Sequence, residues 1–392
     1  MANLNNNAIY TVVRAAYSQA LGDAAVDTVD LSDFVDKGAA YSDLVSYKEQ
    51  FTGALINVLA KNWFLDSSYR TQFKDMFFED ERKFGAIVQA ISIEAPAVQE
   101  SHAWQTFTSG TSTAGQYTLF LPVVETQYYA KTVSWELPIA ITYEQWDDAF
   151  RSESELSQFV AYVLMVVDNA LVVHLENMNN ANRNNFIAEK VAYAASQGAT
   201  GIHKINLVEA YGNANIKTVE AFRASADALR WAAGEINLYS KYIGKMNTLF
   251  NTEGKARFVP EERKVLQVLS AFEKDLNTVS YANTFHDEFV KLGNGENYES
   301  IPYWQGFGTD ADFDTVSKIK VETSSGATIT QSGIVAFLAD KWAIVHTIKS
   351  HRIAVKDFNP EAVTQYFYQY RDAYMNNLTM PAIVFTLEDV SA

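Results

Sequence analysis

Residues 157–186 read SQFVAYVLMVVDNALVVHLENMNNANRNNF, and this stretch decides how the chain is organised. Its most apolar part, Phe159 to Val173, is shorter than the roughly 20 apolar residues that a helix needs to cross a bilayer. Asp168 and Asn169 also interrupt it. We therefore interpret the stretch as a helix of a globular protein and not as a membrane anchor.

The helix has a predicted start and an unusually wide apolar surface. Ser152 as N-cap and Glu155 at the third helical position form a capping box, SESE, in front of it. One stripe of apolar residues recurs at three- and four-residue steps: Leu156, Val160, Val163, Val167, Leu171, Leu175 and Met178. Further apolar residues widen that stripe well beyond one face: Phe159, Leu164, Val166, Val172 and Val173. Such a helix must be covered on most of its circumference, either by its own domain or by neighbouring copies.

The composition limits the possible functions. A chain of 392 residues suggests two or three structural units. Its 31 basic and 47 acidic residues give a net charge of −16, which argues against tight binding of a phosphate backbone. The absence of cysteine excludes disulfides and thiolate metal sites. The first residues lack the pattern of a secretion signal, and we expect a soluble protein made in the cytoplasm.

A long two-stranded arm is predicted before the helix. Residues 8–84 have the apolar periodicity of helices, and FGAIVQAISIEA (84–95) then has the character of a strand. The Ser/Thr/Gly-rich segment 101–116 is interpreted as a loop, and a second strand is predicted from Gln127 to Tyr143. Because a lone hairpin is only marginally stable in water, we expect the arm to lie on another surface.

The region after the helix predicts a mixed α+β domain between residues 200 and 330. A second helix has one apolar stripe, formed by Val219, Phe222, Ala226, Leu229, Ala233 and Ile236. RFVPEERKVLQVLSAFEKDL (257–276) predicts a short strand that turns into a helix at Pro260. A short strand is predicted in 295–308, followed by a polar link over 309–332.

The last third is predicted to be rich in strands. GIVAFL and AIVHTI flank the turn Ala339 to Trp342 and are interpreted as a hairpin. Two further strands are predicted in AVTQYFYQYRDAYM (362–375) and MPAIVFTL (380–387). In the first of them Tyr366, Tyr368 and Tyr370 share one face, where we favour core or interface packing over stacking on a ligand.

No motif for catalysis or for cofactor binding is found. The chain has no phosphate loop, no GxGxxG, no GxSxG and no HExxH motif. His346 and His351 are oddly spaced, so they point to opposite faces of a regular strand, and we expect surface or half-buried histidines there. His286-Asp287-Glu288 is expected on a solvated helix face. We therefore expect no catalytic residue, no cofactor and no metal.

Two polar residues inside the apolar helix require a separate explanation. His174 follows Asp168 by six positions, and together they could form a buried proton or metal site. An unpaired buried polar group is costly, so we favour hydrogen bonds to a neighbouring segment.

The order of the elements resembles that of the major capsid proteins of tailed bacteriophages, with the Hong Kong 97 type fold, in small short-tailed (podovirus-type) phages. Residues 152–177 resemble the spine helix of that family, and residues 127–150 resemble the strand leading into it. RFVPEERKVLQVL (257–269) resembles the strand-to-helix step of the axial domain. GIVAFLADKWAIVHTI (333–348) resembles the strands that return from it, and residues 363–385 resemble the family's ending.

The resemblance implies an α+β fold of five segments. They are an N-terminal helical arm (1–84), an extended-loop hairpin (85–145), a peripheral domain with the long spine helix (146–200), an axial domain (201–335) and return strands that complete the peripheral domain (336–392).

The implied function is structural. Subunits would self-assemble into pentamers and hexamers of an icosahedral head around double-stranded DNA. They would contact this DNA without sequence specificity. Neighbouring capsid subunits, and scaffolding, portal and head-fibre proteins, are the implied partners, and the virion is the implied location after assembly in the host cytoplasm. We expect contacts between subunits at Thr106, Thr108, Gln116, Tyr129, Val133 and Trp135.

Three alternatives remain at this point. An encapsulin-type bacterial compartment shell would use the same fold around a protein cargo. An acidic cytosolic enzyme would need a site that we do not recognise. A phage tail component or adhesin would be expected to have more strand and less central helix.

Overall fold

The computed structural model describes residues 78–79, 88–94, 123–129, 132–142, 153–196, 200–282, 298–306, 312–323, 325–356, 362–388 and 390–391. The helices expected over 8–84, the loop at 101–116 and the His286-Asp287-Glu288 group lie outside these residues, except at Phe78–Glu79. That pair is a strand, not part of a helix, and it runs parallel to a strand near the C-terminus.

The helices and strands alternate along the chain. The helices are α1 (Glu153–Ala195), α2 (Leu207–Tyr211), α3 (Val219–Ala224), α4 (Ala226–Ile243), α5 (Ser270–Ala282) and α6 (Phe313–Val316). The first strands are β1 (Phe78–Glu79), β2 (Val88–Glu94), β3 (Val123–Tyr129), β4 (Thr132–Thr142), β5 (Lys204–Asn206), β6 (Lys264–Leu269) and β7 (Tyr298–Ile301). The later strands are β8 (Ile319–Glu322), β9 (Thr328–Gln331), β10 (Ile334–Asp340), β11 (Ile344–Lys356), β12 (Ala362–Asn376), β13 (Ala382–Thr386) and β14 (Val390–Ser391).

Helix α1 begins where the capping box at Ser152 predicts. It extends for 43 residues, which corresponds to about 65 Å. Its exposed residues recur every four positions, at Val173, Asn177, Ala181 and Asn185, so one stripe of its second half faces outward. None of the helices within the described residues has the length and hydropathy of a membrane span.

A five-stranded mixed sheet forms the core, in the order β5-β13-β10-β6-β7. Strands β6, β10 and β13 are buried at every position. α1, α4 and α5 add buried side chains to the same core, among them Phe186, Ile236 and Phe272. Burial of these side chains is what holds this part of the chain together.

The predicted second helix is two helices. Phe222, Leu229, Ala233 and Ile236 are buried as expected, whereas Ala226 is exposed. The break occurs at Ser225, whose hydroxyl accepts a hydrogen bond from the Ala228 amide at 3.3 Å and so caps α4.

The predicted helix start at Pro260 is wrong. A single 3₁₀ turn (Glu261–Arg263) follows the proline, and KVLQVL then forms the buried strand β6. The helix begins only at Ser270. A run of six residues with apolar positions on both sides does not distinguish a buried strand from a helix by its periodicity.

The predicted hairpin of GIVAFL and AIVHTI is also wrong. β10 pairs with β13 and β6, whereas β11 pairs with β1 and β12 in a second sheet of order β1-β11-β12-β4. The residues between them form a 3₁₀ turn that is capped by Asp340, whose carboxylate accepts from the Trp342 amide at 2.9 Å. This turn carries the chain from one sheet to the other.

The polar link expected over 309–332 contains secondary structure. It includes α6 and the antiparallel pair β8–β9, to which β14 adds a third strand. The expected boundary at 335/336 falls inside β10, and the segment 336–392 contributes strands to three sheets. β11 and β12 pair in the sheet that holds β4, while β13 lies in the five-stranded core.

Candidate functional site

The structure divides the predicted arm into two parts with different surroundings. The single strand expected from Gln127 to Tyr143 is two strands, β3 and β4. β3 pairs antiparallel with β2, from Val123 opposite Glu94 to Tyr129 opposite Val88. β4 pairs with β12 and belongs to the body of the molecule.

The β2–β3 hairpin forms a sheet of its own. Among the strands that the structure describes, β2 and β3 hydrogen-bond only to each other. Ile91, in the middle of β2, is 61% exposed. The hairpin therefore presents an apolar side chain to its surroundings.

The predicted contact residues are not brought together. Thr106, Thr108 and Gln116 lie outside the described residues, and Tyr129 ends the hairpin strand. Val133 and Trp135 stand on β4, where both are half-buried.

Trp135 contacts the long helix of its own chain. Its ring lies 4.0 Å from the His174 ring, centroid to centroid, with the two planes tilted by 39°. The contact joins β4 to α1 inside the subunit. It is a ring contact, so the hydrogen bonds favoured for His174 and Asp168 stay a prediction.

Val133 borders a cavity of about 240 Å³ between α1 and the four-stranded sheet. The other residues that line it are Met178, Ala181, Asn182, Asn185, Tyr374 and Asn376. The Asn376 amide donates to the Asn182 carbonyl at 3.1 Å and so ties β12 to the helix. The wall is rich in amides, so the space is suited to water.

The buried face of α1 is polar where the sequence becomes rich in asparagine. Arg183 is fully buried and donates to the Asn180 side chain at 2.7 Å and to the Trp304 carbonyl at 3.1 Å. Asn184 donates to the same carbonyl at 2.7 Å. The Trp304 indole in turn donates to the Ile334 carbonyl at 2.9 Å, which links the helix to β10. Burial lowers the pKa of the Arg183 guanidinium to about 10.

Lys190 ties the end of the same helix to two loops. Its ammonium, fully buried, donates to the carbonyls of Leu378 at 2.9 Å, Met380 at 3.3 Å and Phe250 at 3.4 Å. Burial lowers the pKa of Lys190 to about 7. Carbonyl oxygens accept hydrogen bonds from a charged amine, so this arrangement favours retention of the proton against that burial.

The apolar periodicity did not predict this polar anchor. The apolar run Phe159–Val173 was expected to be covered by its own domain or by neighbouring copies, and Val173 is 55% exposed in the single chain, while Arg183 and Lys190 are fully buried. The periodicity contained the signal, because positions 179, 183, 186 and 190 fall on one helical face. A search for apolar periodicity does not find this face, because positions 179, 183 and 190 are polar.

His346 also differs from expectation. It is buried, not on the surface, and its ring stacks on Tyr374 with centroids 4.5 Å apart and planes 5° apart. The β11 register shifts between Ile348 and Ser350, so the alternation that predicts opposite faces for His346 and His351 is interrupted. In the part of the chain that the structure describes, no group of three or more acidic residues, histidines or cysteines is arranged to hold a metal ion.

Comparison with known proteins assigns the chain to a family. The sequence model described as Phi29-like phage major capsid protein matches residues 7–386. No curated protein matches the chain.

Solved phage structures are similar to it at low sequence identity. The capsid structure of Staphylococcus phage Andhra is 11% identical, with a TM-score of 0.48 over 81% of this chain and 84% of that one. A structure of native bacteriophage P68 that describes its head fibre and inner core protein is 12% identical, with a TM-score of 0.44 over 81% and 85%. The capsid structure of Cyanophage P-SCSP1u is 12% identical, with a TM-score of 0.42 over 81% and 88%.

The match of the family's sequence model covers nearly all of the mixed helix-and-sheet chain described above. Neither an enzyme nor a protein-cargo compartment is favoured by it. The chain therefore belongs to the Phi29-like phage major capsid protein family and has a structural role in the capsid of the virion, where it associates with copies of itself.

Proposed function

We propose that this chain assembles into the pentamers and hexamers of an icosahedral phage head that encloses double-stranded DNA. The five segments would act as an N-terminal arm (1–84), extended loop (85–145), spine-helix region (146–200), axial domain (201–335) and return strands (336–392). The turn between β10 and β11 modifies this scheme, because the return strands contribute to the five-stranded, the four-stranded and the three-stranded sheet.

The β2–β3 hairpin is the observation that carries the proposal. It pairs with no other strand that the structure describes, and it exposes Ile91. A two-stranded sheet is only marginally stable alone in water, so it gains most from a surface that covers it. In a shell, an adjacent subunit supplies that surface, with contacts expected at the loop residues Thr106, Thr108 and Gln116 and at Tyr129, Val133 and Trp135.

Other partners follow from the same proposal. Scaffolding, portal and head-fibre proteins would join the shell during assembly in the host cytoplasm. The net charge of −16 favours DNA that is confined but not held by the shell, since like charges repel. We infer no catalysis, because the family role is structural.

Size-exclusion chromatography and negative-stain microscopy of the purified chain test the proposal. We expect MDa particles or capsomers, and particles purified from infected cells should contain DNA that resists added nuclease. A chain that remains a monomer to tetramer at every concentration, and that is also absent from particles purified from infected cells, would contradict the shell. Particles that contain protein cargo and no protected DNA would contradict the phage head.

A further inference from the structure

Exposed apolar side chains are concentrated at one end of α4. Of the eight large apolar side chains that stand exposed in the described part of the chain, five fall between residues 238 and 258. We call them the loop patch: Leu238 (37% exposed), Tyr242 (49%), Met246 (63%), Leu249 (47%) and Phe258 (46%).

Backbone hydrogen bonds fix the conformation of the segment that carries the loop patch. Asn247 and Arg257 exchange two backbone hydrogen bonds, of 3.0 and 2.8 Å, in an antiparallel bridge. Met246 and Phe258 are the sequence neighbours of these two bridged residues, and both are exposed. The Asn247 amide also donates to the carbonyls of Tyr242 at 3.0 Å and Lys245 at 2.6 Å.

A second contact fixes the far side of the loop. The Leu249 carbonyl accepts from the Ile202 amide at 2.6 Å, and a Cβ on Gly201 would lie 2.2 Å from the same oxygen. Only glycine permits this approach. The loop therefore has a fixed shape before any partner arrives, which reduces the entropy lost on binding.

The segment has separate inner and outer apolar sets. Ile243, Phe250 and Val259 are at most 1% exposed and belong to the core. The side chains of the loop patch are 37–63% exposed, in contrast to this inner set. Large exposed apolar side chains gathered in one segment mark a contact site.

The charges around the loop patch select its partner. Lys241 and Lys245 are exposed beside it, whereas Glu253 is engaged by Lys255 at 2.9 Å and by Arg257 at 3.9 Å. The chain as a whole carries a net charge of −16. A second copy therefore offers carboxylates to the two lysines and apolar side chains to the loop patch. Nucleic acid would offer only phosphates to the lysines and would leave Met246 and Phe258 exposed to water.

We propose that the loop patch docks on a second copy of this chain within the capsid. The inference rests on the proposed function, because it requires assembly, and it adds the surface through which the unit around the five-stranded sheet takes part. Docking would remove Met246 and Phe258 from water. This contact would be separate from the one proposed for the β2–β3 hairpin.

The absence of cysteine makes the test specific. Single substitutions Met246→Cys and Phe258→Cys introduce one thiol each in the loop patch, and Ala214→Cys places a control thiol at an exposed site before α3. Alkylation rates are measured in dissociated subunits and in particles assembled from the purified chain alone. We expect both patch thiols to react at least about tenfold more slowly in particles, since the centre of an interface excludes water, and the control to react equally in both states.

The possible outcomes are distinct. Patch thiols that react as fast in particles as in subunits overturn the inference while the shell stands. If the patch thiols react slowly only in particles that contain another protein, and not in particles of the purified chain alone, the choice of a second copy as partner is overturned. Loss of particles in both patch variants, with folded subunits by circular dichroism and normal Ala214→Cys particles, supports the inference. Failure of the unmodified chain to form any particle, either alone or in infected cells, overturns the proposed function itself.

Discussion

Lys190 provides a prediction at the scale of a single residue. Its pKa of about 7 in the folded chain lies below the 10.5 of an ordinary lysine, so the unfolded chain binds more protons between these values. The free energy of unfolding should therefore rise as the pH increases from about 7 towards 10.5, and the cost of the buried charge is fully present below that window. Denaturant unfolding of dissociated subunits at pH 7 and pH 9 measures the rise.

Lys190→Met is the matched variant for that measurement. Methionine keeps most of the volume, and the Leu378 and Phe250 carbonyls retain Thr252 and the Ala382 amide as donors. Only the Met380 carbonyl loses its donor, which costs about 1–3 kcal/mol, and removal of the buried charge offsets part of this. The pH-dependent rise should disappear in the variant. Parallel curves for the two proteins would show that the ammonium keeps its ordinary pKa.

Trp135 supports a second prediction at the residue scale. Trp135→Ala removes a ring that packs 4.0 Å from His174, centroid to centroid, and also removes its exposed part. We expect a folded subunit whose free energy of unfolding is lower by about 1–3 kcal/mol, which is less than for a fully buried tryptophan because this ring is only half-buried. We also expect a higher concentration threshold for particle formation. Trp135→Phe, which keeps an aromatic ring on the histidine, is the control. Particles at an unchanged threshold in Trp135→Ala would remove this residue from the inter-subunit contacts.

At the scale of elements, local chemistry predicted the start of α1 but neither the start of every helix nor which strands pair. The SESE pattern predicted the start of α1 at Glu153, and the alternating residues of β12 identified that strand. The hairpin of β10 and β11 failed because their separation depends on which sheet each strand joins. The burial of the Asn-rich half of α1 was not predicted, because its buried polar side chains donate hydrogen bonds to the carbonyls of Trp304 and Leu378, which are distant in the sequence. Such long-range pairing is absent from any sequence window.

The exposed stripe of α1 gives a prediction for the helix as an element. Val173 is 55% exposed at the apolar end of that stripe. If a neighbouring subunit covers it, Val173→Glu buries an unpaired carboxylate in the interface and should prevent assembly, while the isolated subunit changes in stability by no more than about 0.5 kcal/mol. Chromatography of the assembly reaction, with thermal unfolding of the subunit, measures both effects. Val173→Ala is the control and should still assemble. Normal particles from Val173→Glu would mean that the stripe faces solvent in the shell.

At the scale of the whole molecule, the net charge of −16 opposes assembly. Subunits of like charge repel, and salt screens this repulsion because the Debye length falls from about 30 Å at 0.01 M to about 10 Å at 0.1 M ionic strength. We expect the concentration threshold for particle formation, measured by light scattering, to fall as salt is raised from 0.02 to 0.3 M (roughly 20 to 6 Å of screening length). Lys241 and Lys245 act in the opposite sense, because the attraction inferred for the loop patch weakens in salt. The double variant Lys241→Ala/Lys245→Ala should therefore assemble less readily at low salt and show the steeper dependence. A threshold that rises with salt in the unmodified chain would mean that local attraction outweighs the repulsion between whole subunits.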